Sequence, residues 1–109
     1  MLMNYQMRPK PKAQNPYLVQ KIMSASPEEL IAYIYDYGVT ACAQKDPVKA
    51  RTAINNLIQA LNFDYKEVAE TFLDVYRYLG HLINEKRFDE AKNILSDLKS
   101  TWAKAFNLP

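Results

Sequence analysis

The chain reads as four apolar stripes at helical spacing separated by short polar breaks. Leu30, Ile31, Ile34 and Tyr35 form the first stripe, and Ala50, Ile54, Leu57, Ile58 and Leu61 the second. Val68, Phe72, Val75, Tyr76, Leu79 and Ile83 form the third, and Phe88, Ala91, Ile94 or Leu95, Leu98, Trp102 and Ala105 the fourth. Helix-start chemistry precedes each one. Ser26, Pro27 and Glu29 supply a side-chain cap, a first-turn proline and a capping box, which predicts a helix over 27–44. Asp46-Pro47 repeats the cap and proline and opens a helix over 47–62. Asp64 and Glu67 read as a second capping box, with Phe63 and Val68 placed as a hydrophobic staple, starting a third helix that continues through Ile83. Asp89 and Glu90 suit the positive end of a fourth helix beginning near Phe88.

Connections this short force neighbouring helices to run antiparallel. The expected fold is therefore all-α: an up-down-up-down four-helix bundle with an N-terminal extended arm or short capping segment. The expected organisation is a flexible basic arm over 1–14 and one bundle domain over 15–109, with a capping segment at 15–25 and the helices over 26–109. Two apolar features exceed what the bundle needs. Tyr33 and Tyr37 make a second stripe on the first helix, and Tyr17, Leu18 and Ile22 lie in a segment too short to form a core of its own. The candidates to cover the second stripe are that segment, folded back, or another chain.

Composition narrows the function classes. At 109 residues the chain is one domain able to bury a single core. Two glycines are too few for a turn-rich β protein, and no run is apolar enough to span a bilayer or to act as a secretory leader, which predicts a cytoplasmic location. Cys42 cannot form an internal disulfide and sits in a helical pattern beside alanines, so it reads as a small packed residue. The net charge of +2 is uneven: residues 1–25 carry four bases and no acid, giving +4, whereas 26–109 carry ten bases and twelve acids, giving −2. The RPKPK run at 8–12 is a stiff, extended leader, too sparse in charge for a nucleic-acid interface. Gly38 and Gly80 sit inside helices at about 1 kcal/mol each relative to alanine, a cost that close helix approach would explain.

No phosphate-cradling loop, metal-ligand spacing or activated nucleophile is present, so no enzyme, cofactor or metal is expected. His81 alone merits weighing as a phosphotransfer residue on a four-helix bundle. In His81-Leu82-Ile83-Asn84-Glu85 the acid four residues on would oppose a phosphohistidine, so an ordinary surface or boundary histidine is the favoured reading.

Asn15-Pro16-Tyr17, Ile22, Ser26-Pro27-Glu28-Glu29-Leu30 and Ile34-Tyr35-Asp36 resemble the opening of the flagellar export chaperone FliS family. Ala60-Leu61, Leu73-Asp74-Val75-Tyr76-Arg77-Tyr78 and Leu98-Lys99-Ser100-Thr101-Trp102 continue the resemblance in order, over roughly residues 15–106. There are two departures. Tyr37 intervenes before Gly38, and the first hairpin is roughly ten residues shorter than in familiar members, which at ~1.5 Å per residue removes about one turn from each arm. The resemblance implies a cytoplasmic chaperone that binds the disordered C-terminal region of flagellin, prevents premature polymerisation and delivers it to export-gate components. Neither nucleic acid nor membrane is implied as a partner, and the chain is expected as a monomer or weak homodimer. Alternatives are a helical adaptor for a non-flagellin partner and a phosphotransfer domain using His81.

The expected partner-binding residues are Tyr17, Leu18, Ile22, Tyr33, Tyr37, Tyr76, Tyr78 and Leu82, whereas Tyr35 and Trp102 are expected to face the core. Tyr17, Leu18 and Ile22 are read as a removable plug over apolar bundle surface, or alternatively as permanent core. Two or three such side chains would shield surface worth several kcal/mol at about 25 cal/mol per Å².

Overall fold

The computed structural model describes residues 16–109, so the basic arm over 1–14 lies outside the described residues. Within them the chain is helical and holds no strand. A short helix α1 (Pro16–Met23) precedes α2 (Pro27–Ala43), α3 (Pro47–Gln59), α4 (Lys66–Asn84) and α5 (Phe88–Ala105). Most of the capping segment is thus a short helix.

The first two start signals form as the side chains dictate. Ser26 Oγ accepts from the Glu29 amide at 3.1 Å while the Ser26 amide donates to Glu29 Oε1 at 2.8 Å, a complete capping box. Asp46 Oδ1 accepts from the Lys49 amide at 3.1 Å. The third signal does not form. Asn62 Oδ1 accepts from the Asp64 amide at 2.9 Å, which ties residues 62–64 into a side-chain turn. Helix α4 then starts after Tyr65 with no side-chain cap, and Phe63 and Val68 stay exposed instead of stapling it. The same turn ends α3 at Gln59, short of residue 62.

Three helix ends close with a residue in the left-handed region, and none of them is glycine. Lys45, Lys86 and Asn107 have φ of 56°, 60° and 53°. After Lys45 the Asp46 amide donates back to the Ala41 carbonyl at 2.9 Å, and after Lys86 the Arg87 amide donates to the Leu82 carbonyl at 2.8 Å. These tight reversals let three-residue connections join α2 to α3 and α4 to α5.

Helix α2 packs on α3 and α5, and α4 packs on the same two, so the four long helices close a ring with α2 and α4 diagonally opposed. Contacts between α2 and α5 run in opposite chain directions: Trp102 Nε1 donates to the Glu28 carbonyl at 2.9 Å, Lys99 pairs with Asp36 at 2.7 Å, and Leu95 meets Gly38. The core is built from Tyr35, Ala41, Cys42, Ala50, Ile54, Leu57, Tyr76, Leu79, Leu82, Ile83, Phe88, Ala91 and Leu95. Gly38 is a point of close approach, because an added Cβ would stand 3.1 Å from Leu95 Cδ1 and 3.3 Å from Ala53 Cβ. Gly80 is not: nothing lies within 4 Å of a Cβ there, so the close-approach explanation fails at that position. Cys42 is buried, and burial pushes its thiol pKa up, with Lys92 offsetting a part.

Candidate functional site: an apolar groove along α2

The capping box and Pro27 fix the start of α2 and therefore which side chains its outer face presents. Leu30, Tyr33, Ile34 and Tyr37 fall on that face at spacings of three and four. Together with Ile22 from α1 and Thr52 and Asn56 from α3, they line an open apolar groove of about 300 Å³. Tyr37 is 44% exposed and Leu30 is exposed, while Tyr33 and Ile34 are half-buried. The polar rim comes from Thr52 and Asn56, which sequence reasoning missed because both lie off the core stripe of α3.

Helix α1 rests on the outside of α2. Ile22 enters the groove on the α3 side, and the Lys21 ammonium sits 5.6 Å from the centre of the Tyr33 ring, a cation–π contact. On the α5 side Lys21 shares a second depression with Glu29, Asp36, Lys99 and Leu108. Tyr17 is 73% exposed, Ile22 43% and Met23 81%, so these three side chains are not buried in the core. Leu18 belongs to the same helix, and its side chain lies outside those described.

The α4 expectations divide. Tyr76 is 4% exposed and Leu82 is fully buried, so neither lies open to a partner and both are corrected to core residues. The Tyr76 hydroxyl is 2.7 Å from that of Tyr35, and each satisfies the other inside the bundle. Burial raises both phenol pKa values, and the shared hydrogen bond raises that of Tyr76 further while partly offsetting the rise at Tyr35. Tyr78 is 47% exposed and stacks on His81, on a face remote from the groove residues. Tyr35 is core as expected. Trp102 is half-buried, edge-on to Tyr35, with its indole N–H satisfied by Glu28. His81 is exposed and pairs with Glu85 at 3.3 Å.

Nothing in the groove is arranged for bond-making. Its lining offers contact area, phenol hydroxyls that can stay wet, and one hydroxyl and one amide at the rim. Among the described residues no group of histidine, cysteine and carboxylate side chains is placed to hold a metal, and no helix is long and apolar enough to cross a membrane.

The described residues thus form a ring of helices with an open apolar groove on its outer face. The family model described as Flagellar protein FliS matches residues 9–108, and the chain belongs to this family of flagellar export chaperones. Neither the curated proteins nor the solved structures include a significant match.

Proposed function

We propose that this chain binds the disordered C-terminal region of flagellin, keeps it from polymerising early and hands it to the export apparatus. The observation that carries the reading is the groove along α2: a row of four apolar side chains, only partly covered. A segment that folds on binding gains from contacts spread along such a surface, laying its own apolar face over Leu30, Tyr33, Ile34 and Tyr37. Thr52 and Asn56 offer hydrogen-bond partners that fix its register.

Ile22 acts as a displaceable occupant of this groove. Helix α1 has eight residues, too few to hold helical structure alone, so it depends on what it packs against. Ile22 lines the groove while still 43% exposed, and Lys21 adds a cation–π contact with Tyr33. A client segment covering the whole row displaces it. Titration of a flagellin C-terminal peptide against the intact chain and against a chain lacking residues 1–24 tests both parts. The displaceable reading predicts tighter binding to the truncated chain with little change in its unfolding transition. Weaker binding to a folded truncated chain would make α1 part of the client site instead, and no binding to either form would refute the flagellin reading.

A further inference from the structure

The two sides of the groove are unlike. Helix α2 contributes the apolar row, whereas the side chains that α3 contributes, Thr52 and Asn56, are polar. Lys49 falls three residues before Thr52 and seven before Asn56, so the three share one side of α3 over about 10 Å. The register of the antiparallel pair follows from Gly38, where an added Cβ would stand 3.3 Å from Ala53 Cβ. Lys49, one turn before Ala53, therefore lies at the Tyr37 end of the row, and Asn56 lies toward Ile34 and Leu30.

These three positions offer different chemistry. The Thr52 hydroxyl donates to the Val48 carbonyl at 3.0 Å, so only its lone pairs remain for the groove. Asn56 makes no side-chain hydrogen bond among the described residues, which leaves its amide able to donate and to accept. Lys49 is exposed and takes part in no ion pair among the described residues. Arg51, the other base of α3, is turned away by its bond to Asn84 on α4 at 3.0 Å.

No carboxylate of these helices answers Lys49 from across the groove. Helix α3 carries no acid, and Asp46, the one acid between Tyr37 and Phe63, caps α3 through the Lys49 amide. The acids of α2 belong to its other side. Asp36 pairs with Lys99 of α5 at 2.7 Å, Glu29 closes the Ser26 capping box, and both line the depression beside α5. Glu28 lies two turns before the buried Tyr35, and its carbonyl accepts from Trp102 of α5.

We propose that the α3 wall sets the direction in which a client helix lies in the groove. The end of the client's polar flank that bears a carboxylate goes to Lys49, beside Tyr37, and a hydrogen-bond donor further along the flank meets Thr52. This deepens the client reading of the groove and rests on it. The α2 row, being apolar, recognises area without direction. The wall supplies the asymmetry.

Two synthetic amphipathic peptides of one composition test this. They share an apolar stripe and differ in the order of the polar flank, Glu-Gln-Gln in one and Gln-Gln-Glu in the other, with a nitroxide at the N-terminus of each. Bound to the full chain at low salt, the label is expected to broaden amides around 37–41 and 45–49 with the first peptide and around Leu30 and Ala60 with the second. In the Lys49→Glu variant the two patterns exchange. That variant keeps its fold, because an acid in the first turn suits the helix dipole. It also weakens the Glu-bearing peptides roughly two- to fivefold, the scale of an exposed ion pair, and leaves an all-Gln peptide unchanged. Replacing the central Gln by Glu lowers affinity for the wild type, and less for Thr52→Val. A label that stays at one end for both orders overturns the proposal, as does a pattern unmoved by Lys49→Glu. A flagellin C-terminal peptide titrated in parallel separates the two readings. If it shifts the groove amides while the labels ignore the Glu, the direction rule falls and the client reading stands. If the labels follow the Glu while that peptide leaves the groove unmoved, the rule stands and the flagellin reading falls.

Discussion

Replacing either member of the Tyr35–Tyr76 pair by phenylalanine separates a core role from a partner-binding role at Tyr76. Both rings are buried, and the two hydroxyls, 2.7 Å apart, are each other's hydrogen-bond partners among the described residues. Tyr76→Phe leaves the Tyr35 hydroxyl buried with no partner, at a cost of about 1–3 kcal/mol. Tyr35→Phe does the reverse at similar cost. Replacing both removes donor and acceptor together, so the double variant lies close to the wild type and the two losses fail to add by roughly the size of one of them or more. At about 4–8 °C per kcal/mol for a domain of about this size, each single change lowers Tm by roughly 4 °C or more. Urea unfolding is the assay: the midpoint falls in each single variant with the slope unchanged, and recovers in the double. Strictly additive losses would refute the paired geometry. Tyr76→Phe weakening the client without touching stability would refute the assignment of Tyr76 to the core.

The two glycines behave oppositely. Gly80→Ala raises stability by up to about 1 kcal/mol, because helix propensity gains and nothing is struck, whereas at Gly38 the new methyl presses on Leu95 and Ala53 and overpacking of about 1–3 kcal/mol outweighs the gain; equal shifts in thermal midpoint would contradict this. Lys86→Gly stabilises through the left-handed helix end by up to about 1 kcal/mol, read as a rise in urea midpoint. Stability also declines on the alkaline side. Burial raises the Tyr35 and Tyr76 pKa values in the fold, so the unfolded chain releases its phenol protons first, and the stability present at neutral pH is lost progressively as pH rises above about 10, the unfolded value. The loss is smaller in the doubly substituted Phe variant, and a transition independent of pH up to 11 in the wild type would contradict this account.

Much of the fold was legible because side-chain chemistry and apolar spacing agreed. Ser26-Pro27-Glu29 and Asp46-Pro47 each offer one way to satisfy the first amides of a helix, and the stripes behind them place Tyr35, Ile54 and Leu57 inward. The start of α4 was misread because Asn62 and Asp64 compete for the same backbone. Local spacing favoured Asp64 as a cap, and the turn made by Asn62 won. Tyr76 sits squarely in the α4 stripe with Leu79 and Ile83, and its burial follows from that stripe. Its hydroxyl is satisfied inside the bundle by a partner forty-one residues away. No pattern within a single helix announces such a partner. Leu82 is covered because α4 faces both α3 and α5, a breadth of burial that one helix's spacing does not reveal. The groove was half visible: Tyr33 and Tyr37 stood out as a second stripe, but the Thr52 and Asn56 wall exists only once α3 packs beside α2.

The most direct test of the groove is to map amide resonance shifts of the full chain on titration with a flagellin C-terminal peptide. Shifts concentrated at Leu30, Tyr33, Ile34, Tyr37, Thr52 and Asn56, accompanied by changes through 16–23 as α1 is displaced, are the predicted result. Saturable shifts confined to other faces, with residues 30–37 and 52–56 unmoved, would contradict the account.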